Sequence, residues 1–376
     1  MNRVFIIAGE VSGDTHGAGL LRELKALEPD LKVVGLGGPK MREVAGEGIE
    51  DWVETAGVVG LWEVLKMYRY FKEKMDAVLD SILDQKPEGV ILVDYPGFNL
   101  RLAKSLRTAG YKGRILYYIS PQVWAWKKGR VKTMAKVLDL MICIFPFEKE
   151  FYEKSGLRTE FSGHPMVDRV VTLRRDWKRE PGLVGWFPGS RLNEVRRLFP
   201  LMMEAAKAIK QAVPNARFAV SAANEMLAGF MRTLADEHGL PEAKRWIETG
   251  TVYDLMQRAE AGAVASGTAT LEAACFGLPY TLVYNVSWPT YLVGKLVVKI
   301  KHLGIVNILA GREVVRELVQ GDLSADTLAQ TTTELLLDSG RRDALQADLA
   351  AVVAALGSGG AYARAAKAVH ECLATV

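Results

Sequence analysis

The sequence predicts an α/β protein built of two Rossmann-like halves with parallel sheets and a cleft between them. Three observations carry this. Short apolar, β-rich runs alternate with segments of helical period along most of the chain. The pattern begins at Val4–Asp14, a strand running into a glycine-bearing turn and then a helix, and it restarts at Leu183–Glu194. At 376 residues the chain is also long enough for two domains of ~150 residues.

In order, strands are expected at Arg3–Ala8, Lys32–Leu36, Gly89–Asp94, Arg114–Ile119 and Leu140–Phe145. In the second half they are expected at Leu183–Phe187, Arg217–Ser221, Gly262–Ala265 and Tyr280–Tyr284. Val90-Ile91-Leu92-Val93 is apolar on both faces, as a parallel strand covered by helices on both sides must be. Helical periodicity marks Ala18–Leu27, Met75–Leu83, Leu201–Ala212 and Thr270–Phe276. Thr172–Pro181 is charged, carries a Pro-Gly and lacks an apolar period, which reads as a linker between domains at 1–171 and 182–376. The last ~50 residues read as Ala-rich helices able to pack back on either half.

Composition removes several classes. Hydrophobic residues at 49% exclude disorder, and Cys143, Cys275 and Cys372 are too few for a disulfide scaffold; they read as reduced core thiols of a cytosolic protein. No apolar run reaches the ~18 residues of a membrane span, and Val4–Ala8 is too short for a signal peptide. Net charge is only +4, but it is unevenly placed. Arg101–Leu140 holds ten bases and one acid, Asp139, whereas Met41–Leu100 holds twelve acids and six bases. The basic stretch is either a solvated face or a site for an anionic partner: nucleic acid, a phosphorylated ligand or an anionic membrane.

Five loops after expected strands could carry chemistry. Gly9-Glu10-Val11-Ser12-Gly13-Asp14 suits a sugar at a helix start, or is a tight turn capped by Asp14; its acids disfavour a pyrophosphate. Asp94 ends the most apolar strand and is followed by Tyr95-Pro96-Gly97-Phe98-Asn99. There a carboxylate is either partly desolvated and poised as a general base, or a strand-end Asp bonding to turn amides. In the second half, Pro188-Gly189-Ser190-Arg191 offers a phosphate site without the pattern of a P-loop. Ser266-Gly267-Thr268-Ala269-Thr270-Leu271-Glu272 either offers a second one, with Glu272 placed to accept the hydroxyls of a ribose, or is an N-capped core helix with a capping-box acid.

Ser120–Arg130, with Gln122, Trp124 and Trp126 beside three bases, could stack on a sugar or grip single-stranded nucleic acid, the latter without a repeated aromatic platform. Gly57–Met75, which includes Val59, Trp62, Leu65 and Tyr68, is either core or a membrane-touching surface, and Pro289–His302 poses the same choice. No Asp-x-Asp, His-x-x-x-His or Cys-x-x-Cys occurs, so no metal site is expected.

Taken in order, GEVSGD, DYPGFN, YYISPQVWAW, FSGHPMVD, PGSR, ASGTATLE and NILAGREVVREL resemble the lipid-A-disaccharide synthase family, over about Val4 to Val319. The resemblance implies a GT-B fold and an inverting transfer of 2,3-diacylglucosamine from UDP to 2,3-diacylglucosamine 1-phosphate, with no metal and no cofactor. It makes Asp94 the general base and assigns Ser190, Arg191, Gly267, Thr268, Thr270 and Glu272 to UDP, with Asn307 in a late motif. It places Glu10, Ser12, Gly13 and Asp14 near the sugars and adds Asn99, Gln122 and Trp124 as substrate contacts. The chain departs from the most familiar family pattern at Gly97, where a second Asp commonly stands, so Asp94 carries the base role alone.

The implied partners are the two acylated sugars and, peripherally, an anionic inner membrane touched through Val59, Trp62, Leu65 and Tyr68 from the cytoplasmic side. Nucleic acid is not among them, and a homodimer exchanging C-terminal segments is admitted. Another metal-independent UDP-sugar enzyme of the same fold, a lipid-linked N-acetylglucosaminyltransferase or a UDP-N-acetylglucosamine epimerase, is the alternative.

Overall fold

The computed structural model describes residues 3–56, 68–126, 129–288, 291 and 301–374. Its chain divides into two compact units, Met1–Pro165 with Leu356–Val376, and Met166–Ala355.

The first unit is a parallel sheet of seven strands: β1 Arg3–Ala8, β2 Lys32–Gly37, β3 Ile49–Asp51, β4 Gly89–Val93, β5 Arg114–Tyr118, β6 Leu140–Cys143 and β7 Thr159–Phe161. Their order across the sheet is β3-β2-β1-β4-β5-β6-β7. β4 is central, and every residue of it is buried: Ile6 of β1 pairs with Ile91, and Ile91 in turn with Leu116 of β5. One face packs Phe5, Ile7, Val90, Leu92 and Tyr117 against Leu102 and Leu106 of the helix Pro96–Thr108, and Val78 and Ile82 of the helix Tyr68–Gln85. The C-terminal helix Ala361–Ala374 belongs to this unit and lies beside the helix Val11–Leu27. It is fixed there by His16 Nδ1 to Tyr362 Oη (3.0 Å), His370 Nε2 to Glu28 Oε1 (2.8 Å) and Arg364 Nε donating to Ser162 O (2.8 Å).

The second unit is a parallel sheet of six strands: β8 Glu180–Phe187, β9 Arg217–Ala222, β10 Ile247–Thr249, β11 Ala259–Ala265, β12 Tyr280–Tyr284 and β13 Glu317–Val319. Their order is β10-β9-β8-β11-β12-β13. The 21-residue helix Leu192–Ala212 follows β8 and buries Val195, Phe199, Met202 and Ile209.

The division of the chain falls at Pro165, earlier than the charged stretch Thr172–Pro181. That stretch is fastened to the second unit: Arg175 N donates to Gln257 Oε1 (2.7 Å), Arg174 Nη2 to Cys275 O (2.9 Å) and Arg179 Nη1 to Ala259 O (2.6 Å). Of the aromatic stretch Gly57–Met75, Val59, Trp62 and Leu65 lie outside the described residues, and Tyr68 opens the helix Tyr68–Gln85. Pro289–His302 is likewise largely outside them. Among the described residues no helix is long and apolar enough to cross a membrane.

Candidate active site

In each unit the strand order reverses beside the first strand, between β1 and β4 and between β8 and β11. Loops leaving the carboxyl ends of strands at such a reversal diverge and leave a crevice, the usual ligand position in open α/β sheets. The glycine-bearing loop after β1 and Asp94 after β4 flank the first reversal. Pro188–Arg191 and Ser266–Glu272 flank the second.

Asp94 and Tyr95 are consecutive non-glycine residues with φ of 46° and 49°. Such backbone costs of order 1–3 kcal/mol per residue and persists only where the surroundings enforce it. Here they do. Asp94 N donates to Tyr118 O (2.9 Å), while Asp94 O accepts from Asn99 Nδ2 (2.8 Å) and from the Tyr117 hydroxyl (2.5 Å). The Tyr95 ring stands edge-on to Trp52, its hydroxyl donates to Ala56 O (3.0 Å), and Trp52 Nε1 donates to Ala8 O (2.7 Å). Gly9 is required beside it, since a Cβ there would lie 2.3 Å from the Tyr95 ring. The turn is thus locked from both strands, and it presents a carboxylate that no base pairs with among the described residues. Burial, reinforced by the Glu10 carboxylate, pushes the Asp94 pKa up to about 6.

The other expected contacts of this unit divide. Glu10 and Ser12 are exposed at the loop, and Gln122 is exposed after β5. Gly13 is buried, a Cβ there lying 3.3 Å from the Ala8 Cβ. Asn99 is buried and acts through the Asp94 backbone; its amide also donates to Val93 O (3.2 Å).

Two expectations are corrected. Asp14 does not face a sugar. At 3% exposure, its carboxylate accepts from Gly38 N (2.9 Å), Lys40 N (3.1 Å) and Met41 N (2.9 Å), capping the helix Pro39–Ala45, whose own N-cap, Gly38, has no side chain to do so. Trp124 is not a stacking platform. It is 8% exposed, donates to the buried carboxylate of Glu148 (2.9 Å) and packs edge-on against Phe147.

Removing the Asp14 carboxylate with Asp14→Ala orphans three amides and should destabilise the protein by about 2–4 kcal/mol, a drop of roughly 5–10 °C in Tm, with UDP affinity unchanged. Thermal unfolding and calorimetry test this; an unaltered Tm would return Asp14 to the ligand.

In the second unit, Gly189 has φ of 104°, and a Cβ there would lie 2.3 Å from Glu194 Oε2. The left-handed turn lets two successive amides converge: Ser190 N and Arg191 N both donate to Glu194 Oε2 (3.1 and 3.2 Å), and Arg191 Nη1 donates to Oε1 (3.1 Å). A carboxylate therefore sits where amides, guanidinium and the positive end of a long helix favour an anion. Across the strand reversal, Gly267 and Thr268 are exposed at the start of the helix Thr268–Cys275. Glu272, one turn on, accepts from the Tyr253 hydroxyl through Oε1 (3.0 Å), and its Oε2 takes no bond among the described residues. Burial raises the Glu272 pKa; the Tyr253 hydroxyl and Arg169 pull it back down. Arg169 also lies 5.0 Å from the centroid of the Tyr253 ring.

Two more expectations change here. The Thr270 side chain is turned inward, buried, and donates to Gly267 O (2.7 Å), so it shapes the loop. Asn307 is fully buried and uses all four of its hydrogen-bond positions: Nδ2 donates to Val315 O and Glu317 Oε1, and Oδ1 accepts from Val314 N and Val315 N. Nothing remains of it for a ligand.

Sequence reasoning missed Glu194, Tyr253 and Tyr117. Glu194 was legible as an acid at the third helical position; the two tyrosines lie on distant segments and carry no local signal. Among the described residues no group of three or more His, Cys, Asp or Glu side chains is placed to hold a metal ion.

Two parallel sheets, each with helices and a strand-order reversal, make up the GT-B architecture. The chain superposes over its full length on a UDP co-structure of MnaA from S. aureus (TM-score 0.66, 12% identity, 98% of that chain). It also superposes on CalG4, the calicheamicin glycosyltransferase (TM-score 0.55, 16% identity, 98% of that chain). Within that class the sequence is specific. Residues 4–372 match the family model described as lipid-A-disaccharide synthetase. The chain is 43% identical over 380 residues to the lipid-A-disaccharide synthase of Geobacter sulfurreducens, covering 99% of this chain and 97% of the relative. It belongs to the lipid-A-disaccharide synthase family, and its activity is that of a UDP-sugar glycosyltransferase in lipid A disaccharide formation.

Proposed function

We propose that the protein transfers 2,3-diacylglucosamine from UDP to the 6-hydroxyl of 2,3-diacylglucosamine 1-phosphate, with inversion and without a metal. The acceptor oxygen bonds to the sugar C1 as the bond from C1 to the UDP oxygen breaks, and the Asp94 carboxylate takes the hydroxyl proton. UDP leaves with the electron pair, its charge met by Arg191 and by the amides of Ser190 and Arg191. Glu272, oriented by Tyr253, accepts the ribose hydroxyls. Gly267 and Thr268 add helix-start donors.

The observation that carries this reading is the pairing of chemistries at the two strand reversals: a carboxylate of raised pKa at one and convergent anion donors at the other. Both substrates carry acyl chains, and the aromatic, apolar sequence Gly57–Met75 supports peripheral contact with the membrane that holds them.

Enzyme mixed with both acylated sugars in EDTA should yield a disaccharide phosphate and UDP, detected by mass spectrometry. UDP should appear only when the acceptor is present. Conversion of the donor alone would point to an epimerase, and a requirement for magnesium would end the metal-free scheme.

A further inference from the structure

A groove on the first unit begins at Pro96 and Gly97, next to the turn that holds Asp94. The helix Pro96–Thr108 begins two residues after it, and the helix Arg130–Val137 runs beside it, both starting at the carboxyl end of the sheet. The groove, of about 380 Å³, lies between them. Its floor is Leu100, Met134 and Val137, and its rim is Arg101, Lys104 and Arg130; no acid lines it. From Pro96 to Lys104 the helix rises about 12 Å, so the groove leads away from the loop that presents Asp94. At its mouth, Gly97 leaves open space: a Cβ there meets nothing within 4 Å.

Five of the ten bases of Arg101–Leu140 fall into two groups. Arg107 and Arg114 are spent on Asp139, and Arg107 also donates to Val137 O, Tyr111 O and Gly113 O. Arg101, Lys104 and Arg130 have no acidic partner among the described residues. They face one apolar trough from two different helices, whereas a merely solvated face would scatter them over outward surfaces. Positive rim over apolar floor matches one chemistry: an acyl chain joined to a phosphate.

We propose that this groove binds the acceptor lipid, one acyl chain along Leu100, Met134 and Val137 and the 1-phosphate on Arg101, Lys104 and Arg130. The inference rests on reading the acceptor as a phosphorylated acyl sugar. It explains how the enzyme tells its two substrates apart. The donor's negative charge is claimed by the loop after β8; the acceptor's is claimed here.

The test combines kinetics with a probe that needs no turnover. In the triple variant Arg101→Ser, Lys104→Ser, Arg130→Ser, the acceptor KM should rise at least about tenfold while the donor KM moves less than about twofold. Preference for the phosphorylated acceptor over its dephosphorylated form should vanish. Dodecyl phosphate below its micellar concentration should bind wild type and not the triple variant, and Leu100→Gln should weaken it while leaving the fold intact by circular dichroism. Wild type that makes disaccharide alongside a triple variant of unchanged acceptor KM and dodecyl phosphate affinity would overturn the groove and leave the transferase standing. Inorganic phosphate binding as tightly as dodecyl phosphate would reduce it to a plain anion site. Lost binding to phosphatidylglycerol vesicles with an unchanged KM in detergent would assign it to bilayer lipid. Wild type that makes no disaccharide would overturn the transferase reading and the acceptor assignment together.

Discussion

Asp94→Asn should lower turnover about a hundredfold or more while leaving UDP affinity within about twofold. The substitution keeps the shape of the side chain and removes only its ability to take a proton. The turn it sits on is held by its backbone, through Asn99, Tyr117 and Tyr118, so the variant has every reason to fold as wild type does. With a pKa of about 6, wild-type turnover should fall about tenfold per pH unit below that value and level off above it, and the residual activity of the Asp94→Asn variant should lack this limb.

Stability should move the other way. A carboxyl whose folded pKa is raised stabilises the fold below its unfolded pKa and loses that contribution as pH rises through about 6. At pH 8 the ionised Asp94 therefore costs stability, at most about 3 kcal/mol for a displacement of about two pH units, and Asp94→Asn removes that cost. Its Tm should equal or exceed wild type at pH 8, and the two should converge towards pH 4. Near-normal turnover in the variant would take Asp94 out of the mechanism.

That the Asp94 carboxylate stands out from sequence alone follows from where it stands. β1, β4, β5, β8 and β12 are buried on both faces, so their composition announces them and their ends mark the ligand side of the sheet. The strands that escaped, Ile49–Asp51, Thr159–Phe161, Ile247–Thr249 and Glu317–Val319, are all three residues long, and all four lie at sheet edges. An edge strand needs neither length nor two apolar faces, and each of these carries a glutamate.

The expected contacts whose side chains the fold already engages share another cause. Asp14, Trp124, Thr270 and Asn307 lie in the quoted motifs, but a motif does not show what its polar atoms already hold. Asp14 is satisfied by amides 24–27 residues on, and Trp124 by Glu148, also 24 residues on. Asn307 is consumed by a turn within its own motif, which only the backbone path reveals. The Asp94 carboxylate and one oxygen of Glu272 take no such partner among the described residues, and the Arg191 guanidinium is held only by an exposed bridge to Glu194.

Arg191→Ala should raise the Kd for UDP roughly ten- to a hundredfold, the worth of one or two charge-assisted hydrogen bonds to a diphosphate. Folding should barely register it, because the side chain is 79% exposed and its bridge to Glu194 is worth less than about 1 kcal/mol. The bridge nevertheless shapes the result. The Glu194 carboxylate occupies the two amides and the guanidinium, so the UDP binding proposed here requires its displacement. Glu194→Gln keeps the acceptor oxygen at the amides and removes the competing charge, and it should lower the Kd severalfold where Arg191→Ala raises it. The two changes thus push the same equilibrium in opposite directions through one loop, which a general loss of structure could not do. Titration calorimetry on both variants decides the matter: an Arg191→Ala protein with wild-type Kd would mean that the loop after β8 does not hold the nucleotide, whatever its geometry suggests.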